Sequence, residues 1–102
     1  MAKVVTVFRN RLRAEASAEY GRTLAHMRDL AVAMPGYLSH KTFVADDGER
    51  CTIVEFESEE THRAWATQLE HVEAKRAGRD RFYEDYKVQV CSVTRESAFK
   101  RV

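Results

Sequence analysis

The sequence predicts an α+β fold with the element order β-α-β-β-α-β in 102 residues. Three observations carry that prediction. Runs rich in β-branched and aromatic residues at 4–13, 51–56 and 86–94 have strand character. Tyr20, Leu24, Met27, Ala31 and Met34 recur at steps of four and three, one apolar stripe of a helix. Asp46-Asp47-Gly48-Glu49 is a hairpin turn, since Asp-Gly tolerates the positive φ such turns need.

The first strand, residues 4–13, begins apolar and ends by alternating with basic residues, which gives it one wet end. A helix is expected over 17–34, with Ser17 as its N-cap and Glu19 near the positive end of its dipole. Pro35-Gly36 stops it, because proline disfavours helical geometry at the residue before it. Strands over 37–45 and 51–56 flank the hairpin turn. Ser58-Glu59-Glu60 opens a second helix with a capping hydroxyl and two carboxylates in its first turn, and Trp65, Leu69 and Val72 form its apolar face. That helix is expected to break near Gly78, with Phe82-Tyr83 in a short helical turn before the last strand at 86–94.

This order is the ferredoxin-like, split β-α-β pattern: an antiparallel sheet in the strand order 4-1-3-2 with both helices on one face. Cys51 and Cys91 then lie two strand spacings apart, about 9–10 Å, too far for an intrachain disulfide. Both parities of the central strands are apolar. Val5, Val7, Ile53 and Val93 lie on one, and Val4, Phe8, Val54 and Phe56 on the other. A sheet wet on one side would alternate cleanly. A second copy of the chain is the simplest cover, so a homodimer is expected, its sheets facing and its C-terminal segments crossing over.

Length predicts a single domain over 1–102. Hydrophobic residues at 44% and charged residues at 32% exclude a disordered or collagen-like chain. Lys and Arg number 17 against 16 Asp and Glu, and this balance argues against nucleic acid as a partner. No apolar run is long enough for a bilayer, and Arg9 comes too early for a secretory leader, so a cytoplasmic location without membrane attachment is expected. His26, His40, His62, His71 and the two cysteines lack metal-ligand spacing, so no metal is expected.

The element order resembles the antibiotic biosynthesis monooxygenase (ABM) family of dimeric α+β barrels. The residues behind the resemblance are Met34-Pro35-Gly36-Tyr37 after the first helix, Glu55-Phe56-Glu57-Ser58-Glu59-Glu60, and Trp65 on the second helix. Residues 70–79 followed by Phe82-Tyr83-Glu84-Asp85-Tyr86 resemble the branch grouped with haem-degrading monooxygenases. The resemblance implies a small dimeric monooxygenase that uses dioxygen on a flat aromatic, phenol-like substrate with no tightly bound cofactor. Its alternatives are a haem-binding, haem-degrading enzyme, and a non-catalytic ligand-binding or stress-response module on the same fold.

It also implies site residues. Asn10 and Trp65 stand where haem-degrading members carry an Asn and a Trp. The iron-ligating His of that branch falls where this chain has Ala74 and Lys75, and His71 comes only six residues after Trp65. On a straight helix six residues turn the chain about 120° away, so His71 reaches Trp65 only if the helix bends between them. Catalytic roles are therefore expected for Asn10, Trp65 and His71, and substrate-binding roles for Arg79 and Tyr83. Asn10 would hold an oxygen atom or oxyanion, Trp65 would wall a flat ligand, and His71 would serve as a base near neutral pH. Arg79 would meet a phenolate, carboxylate or propionate. Each has a plainer role as well. Asn10 bonds a neighbour or water, Trp65 is core, His71 is a polar helix residue, Arg79 pairs with Glu73, Glu84 or Asp85, and Tyr83 closes the core. His26, His40 and His62 read as solvated.

Overall fold

A computed structural model describes residues 2–101. Strand β1 (Val4–Leu12) leads through a 3-10 turn (Ala14–Ala16) into helix α1 (Ser17–Ala33). Strands β2 (Tyr37–Val44) and β3 (Arg50–Phe56) form the hairpin, and helices α2 (Glu59–Ala66) and α3 (Leu69–Ala77) follow. A wide π-type turn (Gly78–Phe82) feeds strand β4 (Tyr83–Ser92). The four strands form one antiparallel sheet in the order β2-β3-β1-β4, the expected 4-1-3-2. Among the described residues no helix is long and apolar enough to cross a membrane.

Local chemistry accounts for the boundaries. The cap position of α1 is Ala16, and the expected Ser17 cap hydroxyl lies outside the described residues. Gly36 ends the α1 connection at φ +82°, with its carbonyl accepting from Glu57 N–H, and a Cβ there would meet Thr61 at 2.5 Å. Thr61 is itself committed, because Ser58 and Thr61 close a reciprocal capping box at the start of α2.

The second helix departs from expectation. It breaks at Thr67-Gln68 rather than only near Gly78, since both side chains compete with the helical backbone. Thr67 Oγ1 donates to the Arg63 carbonyl, and Gln68 Oε1 accepts from His71 N–H as the cap of α3. The break turns Leu69 and Val72 outward, so they are not the core face, and Leu69 is 70% exposed. Near Gly78 the backbone stays right-handed, and a Cβ would meet the Tyr83 ring at 2.7 Å, so glycine is needed for close approach. Tyr83 belongs to β4 rather than to a helical turn, and β4 starts three residues earlier than expected.

Even-numbered β1 residues face the helices. Val4, Thr6, Phe8 and Asn10 lie opposite Phe56, Val54, Thr52 and Arg50 of β3, and opposite Ser92, Val90, Val88 and Tyr86 of β4. Two buried clusters lie under the helices: Ala31, Phe56 and Trp65 in one, Ala16, Tyr20 and Phe82 in the other. The opposite face carries Val5, Val7 and Ile53 towards one end. Towards the other, the exposed Phe43 lies in register with Cys51 and Arg9, Arg9 pairs with Glu49 at 2.9 Å and Arg11 with Asp47 at 2.7 Å. Cys51 and Cys91 are free and flank β1 opposite Arg9 and Val5.

Candidate functional site

Asn10 occupies the helix-facing side of the central strand and is 1% exposed. Both amide atoms, Nδ2 and Oδ1, are buried without a hydrogen-bond partner among the described residues. A buried amide group left unpaired costs about 1–3 kcal/mol, so a hydrogen-bonding group brought against Asn10 would be favoured there. Its neighbour across β3 is Arg50, whose Nε is likewise buried and unpaired. The Arg50 guanidinium lies 5.7 Å from the centre of the Tyr20 ring.

Aromatic rings wall this end of the sheet. Phe8 meets Tyr83 edge-on at 5.4 Å and Tyr86 at 5.9 Å, and Tyr20 meets Phe82 at 5.6 Å and Tyr83 at 5.7 Å. Burial, with a 3.5 Å hydrogen bond to the Tyr20 hydroxyl, pushes the Tyr83 phenol well above its ordinary ionisation range, while Arg50 opposes the shift. Tyr83 therefore stays a neutral phenol at physiological pH. Tyr86, opposite Asn10 on β4, also lines a surface cleft of about 510 Å³ with Val72, Lys75, Arg76, Arg79 and Asp80. Arg79 donates to the Tyr86 hydroxyl through Nε at 3.3 Å and Nη2 at 3.1 Å, not to Glu73, Glu84 or Asp85.

Trp65 and His71 form a second group. The break at Thr67-Gln68 supplies the bend that six residues of straight helix lack, and the two rings stack at 4.1 Å with 12° between planes. Nδ1 of His71 lies 3.0 Å from the Trp65 carbonyl, which makes it the protonated nitrogen and leaves Nε2 as the acceptor. Burial, above all, holds the His71 imidazole below its ordinary pKa of 6.5, with Lys75 and His62 adding to the shift against the Trp65 hydrogen bond. Trp65 is 7% exposed and packs with Phe56 and Ala31.

The expected site residues thus divide. Asn10, Tyr83 and Arg79 gather around Tyr86, and Trp65 with His71 packs over the Phe56 end of the sheet. No hydrogen bond or ring contact joins the two groups among the described residues. Neither His71 nor Trp65 lines the cleft beside Arg79, so the residues expected from the haem-degrading branch do not share that cleft.

His62 is a further correction, being half-buried rather than solvated, with Nε2 2.9 Å from Thr6 Oγ1 and its pKa lowered chiefly by burial. His40 is half-buried against Tyr37, whereas His26 is exposed and pairs with Glu70. Arg50 and Phe8 are site residues that the sequence reading passed over. The hairpin turn sets Arg50 opposite Val44 only, and the non-local β1-β3 register that sets it opposite Asn10 has no local sequence signal.

Comparison with known proteins follows this geometry. The family described as antibiotic biosynthesis monooxygenase matches residues 3–77. An uncharacterized protein of Bacillus subtilis (strain 168), YqjZ, is 33% identical over 89 residues, covering 87% of this chain and 78% of its own. Among solved structures, SnoaB of Streptomyces nogalater, a cofactor-independent oxygenase, superposes with a TM-score of 0.78 at 17% identity, over 95% of this chain and 97% of its own. Rv0793 of Mycobacterium tuberculosis superposes at 0.81 with 16% identity, over 95% and 100%.

Proposed function

The chain belongs to the antibiotic biosynthesis monooxygenase family, and from that premise we propose a homodimeric, cofactor-independent monooxygenase. It joins dioxygen to a flat, polycyclic phenol bound between the sheet and the helices. The observation that carries the reading is Asn10, an amide with two polar atoms unpaired among the described residues, at one end of the covered face. The substrate oxygen bonds to the amide, Phe8, Tyr83 and Tyr86 bound its rings, and Arg79 stands at the rim. Trp65 and His71 close the far end of the covered face as a packed pair.

The chemistry asks little of the protein. A phenol with a free para carbon supplies both electrons, so ArOH plus O2 gives a para-quinone plus water. One oxygen atom enters the ring, the other leaves as water, and no reductant is required. Side chains need only bind the ring, favour its anion and exclude water. No hydrogen bond or ring contact joins Trp65 or His71 to Asn10 among the described residues, so neither is assigned to that oxygen. The apolar residues of the sheet's outer face, Val5, Val7 and Ile53, with the exposed Phe43 beside Cys51, support the second copy as its cover.

The test is dioxygen uptake with 1-anthrol in the presence of a metal chelator. Protein-dependent uptake with one quinone per dioxygen is expected. Saturable binding of 1-anthrol without uptake would instead establish a binding module and refute the enzyme.

A further inference from the structure

We propose that Arg50 biases this site towards molecules that present an ionised oxygen next to Asn10. The inference rests on the ligand site proposed above and names what that site discriminates. Arg50 and Asn10 are directly paired across β3 and β1 on the helix-facing side, which sets their Cβ atoms about 4.5–5.5 Å apart. Asn10 is 1% exposed with both polar atoms unpaired, and the Arg50 Nε is buried and unpaired beside it.

Neighbouring cations behave differently. Arg9, Arg11 and Arg13 meet Glu49, Asp47 and Glu15 at 2.9, 2.7 and 2.8 Å. The Arg50 guanidinium forms no hydrogen bond or ion pair among the described residues, and only the face of Tyr20 accompanies it. A half-buried guanidinium with a planar fork of donors and no carboxylate matches a phenolate or carboxylate oxygen better than it matches a neutral one. With Asn10 Nδ2 adjacent, one oxyanion accepts from both side chains. A neutral ether or ketone of the same shape leaves the charge unanswered.

The experiment uses the full chain with 2-naphthol and its methyl ether, 2-methoxynaphthalene. The carbon para to the 2-naphthol hydroxyl is a ring-fusion carbon with no hydrogen, so no para-quinone forms and the compound reports binding alone. Naphthol and naphtholate absorb at different wavelengths, which gives the ionisation midpoint of the bound molecule directly. The wild type is expected to bind 2-naphthol with that midpoint lowered by about 1–3 pH units, the range for an oxyanion within roughly 4–6 Å of a cation.

In Arg50→Gln the midpoint returns to its solution value, while affinity for 2-methoxynaphthalene stays within twofold. Arg50→Lys keeps the charge without the fork and recovers part of the shift. Should Arg50→Gln not fold, the wild-type midpoint and the Arg50→Lys variant decide the question. An unshifted midpoint with both compounds bound overturns the role of Arg50 and leaves the flat-ligand site standing. Failure of 2-naphthol to bind at any pH overturns both the site and the inference.

Discussion

Replacing Asn10 by leucine should make the protein more stable while removing its activity. The amide is 1% exposed and pairs neither Nδ2 nor Oδ1. Relieving an unpaired buried group is worth about 1–3 kcal/mol, and the amide holds two. Leucine is bulkier than asparagine, so overpacking costs about 1–3 kcal/mol in return. The difference leaves a net gain of roughly 2 kcal/mol, to which a better strand former adds a little. For a chain of this length each kcal/mol moves Tm by about 4–8 °C, so Asn10→Leu should melt roughly 8–16 °C higher. Calorimetry at equal protein concentration measures it, because dimerisation makes Tm concentration-dependent. Turnover of 1-anthrol should fall by about 100-fold or more, the range for loss of one donor to a developing oxyanion. A variant that loses 1 kcal/mol or more of stability would refute the reasoning, since the amide would then be a satisfied structural group.

Other outcomes follow from the same geometry. Gly36→Ala should destabilise by roughly 2–5 kcal/mol in urea denaturation, combining positive φ with a Cβ 2.5 Å from Thr61. Ser58→Ala removes the α2 capping box and should cost about 0.5–2 kcal/mol by the same assay. His62 and His71 both bind protons less readily when folded than at their ordinary pKa of 6.5. As pH falls below about 6.5 the unfolded chain takes up protons that the folded chain refuses, so stability drops. Above about pH 7 this contribution is flat, and His71→Gln should shallow the slope between pH 7 and 5. Sedimentation should give a dimer, and Val7→Glu on the sheet's outer face should yield monomers.

The Asp46–Glu49 turn explains why so much of the architecture is legible in sequence. It pins the β2-β3 register. Which β1 residues face the helices depends instead on the non-local β1-β3 pairing that sets Asn10 opposite Arg50, and the sequence, apolar on both parities of β1, does not show it. The helix break is less legible, because Leu69 and Val72 continue an apolar spacing that Thr67 and Gln68 interrupt through side-chain hydrogen bonds. Tyr83 was misassigned for a related reason, since only packing reveals that its ring crosses the bare backbone of Gly78. What a pattern of residue types does not contain is whether a buried polar atom finds a partner. Asn10 and Arg50 lack partners because of how Phe8, Tyr20 and Tyr86 pack around them, a three-dimensional property of the assembled face.

The central claim, monooxygenation without a bound cofactor, is tested most directly with isotopically labelled dioxygen. Chelator-treated protein is incubated with 1-anthrol under 18O2, and the product is analysed by mass spectrometry. The account predicts a para-quinone carrying one 18O atom, formed with equimolar consumption of dioxygen and lost in Asn10→Leu. A quinone without 18O, accompanied by hydrogen peroxide, would contradict it, as would formation at the same rate with and without the protein.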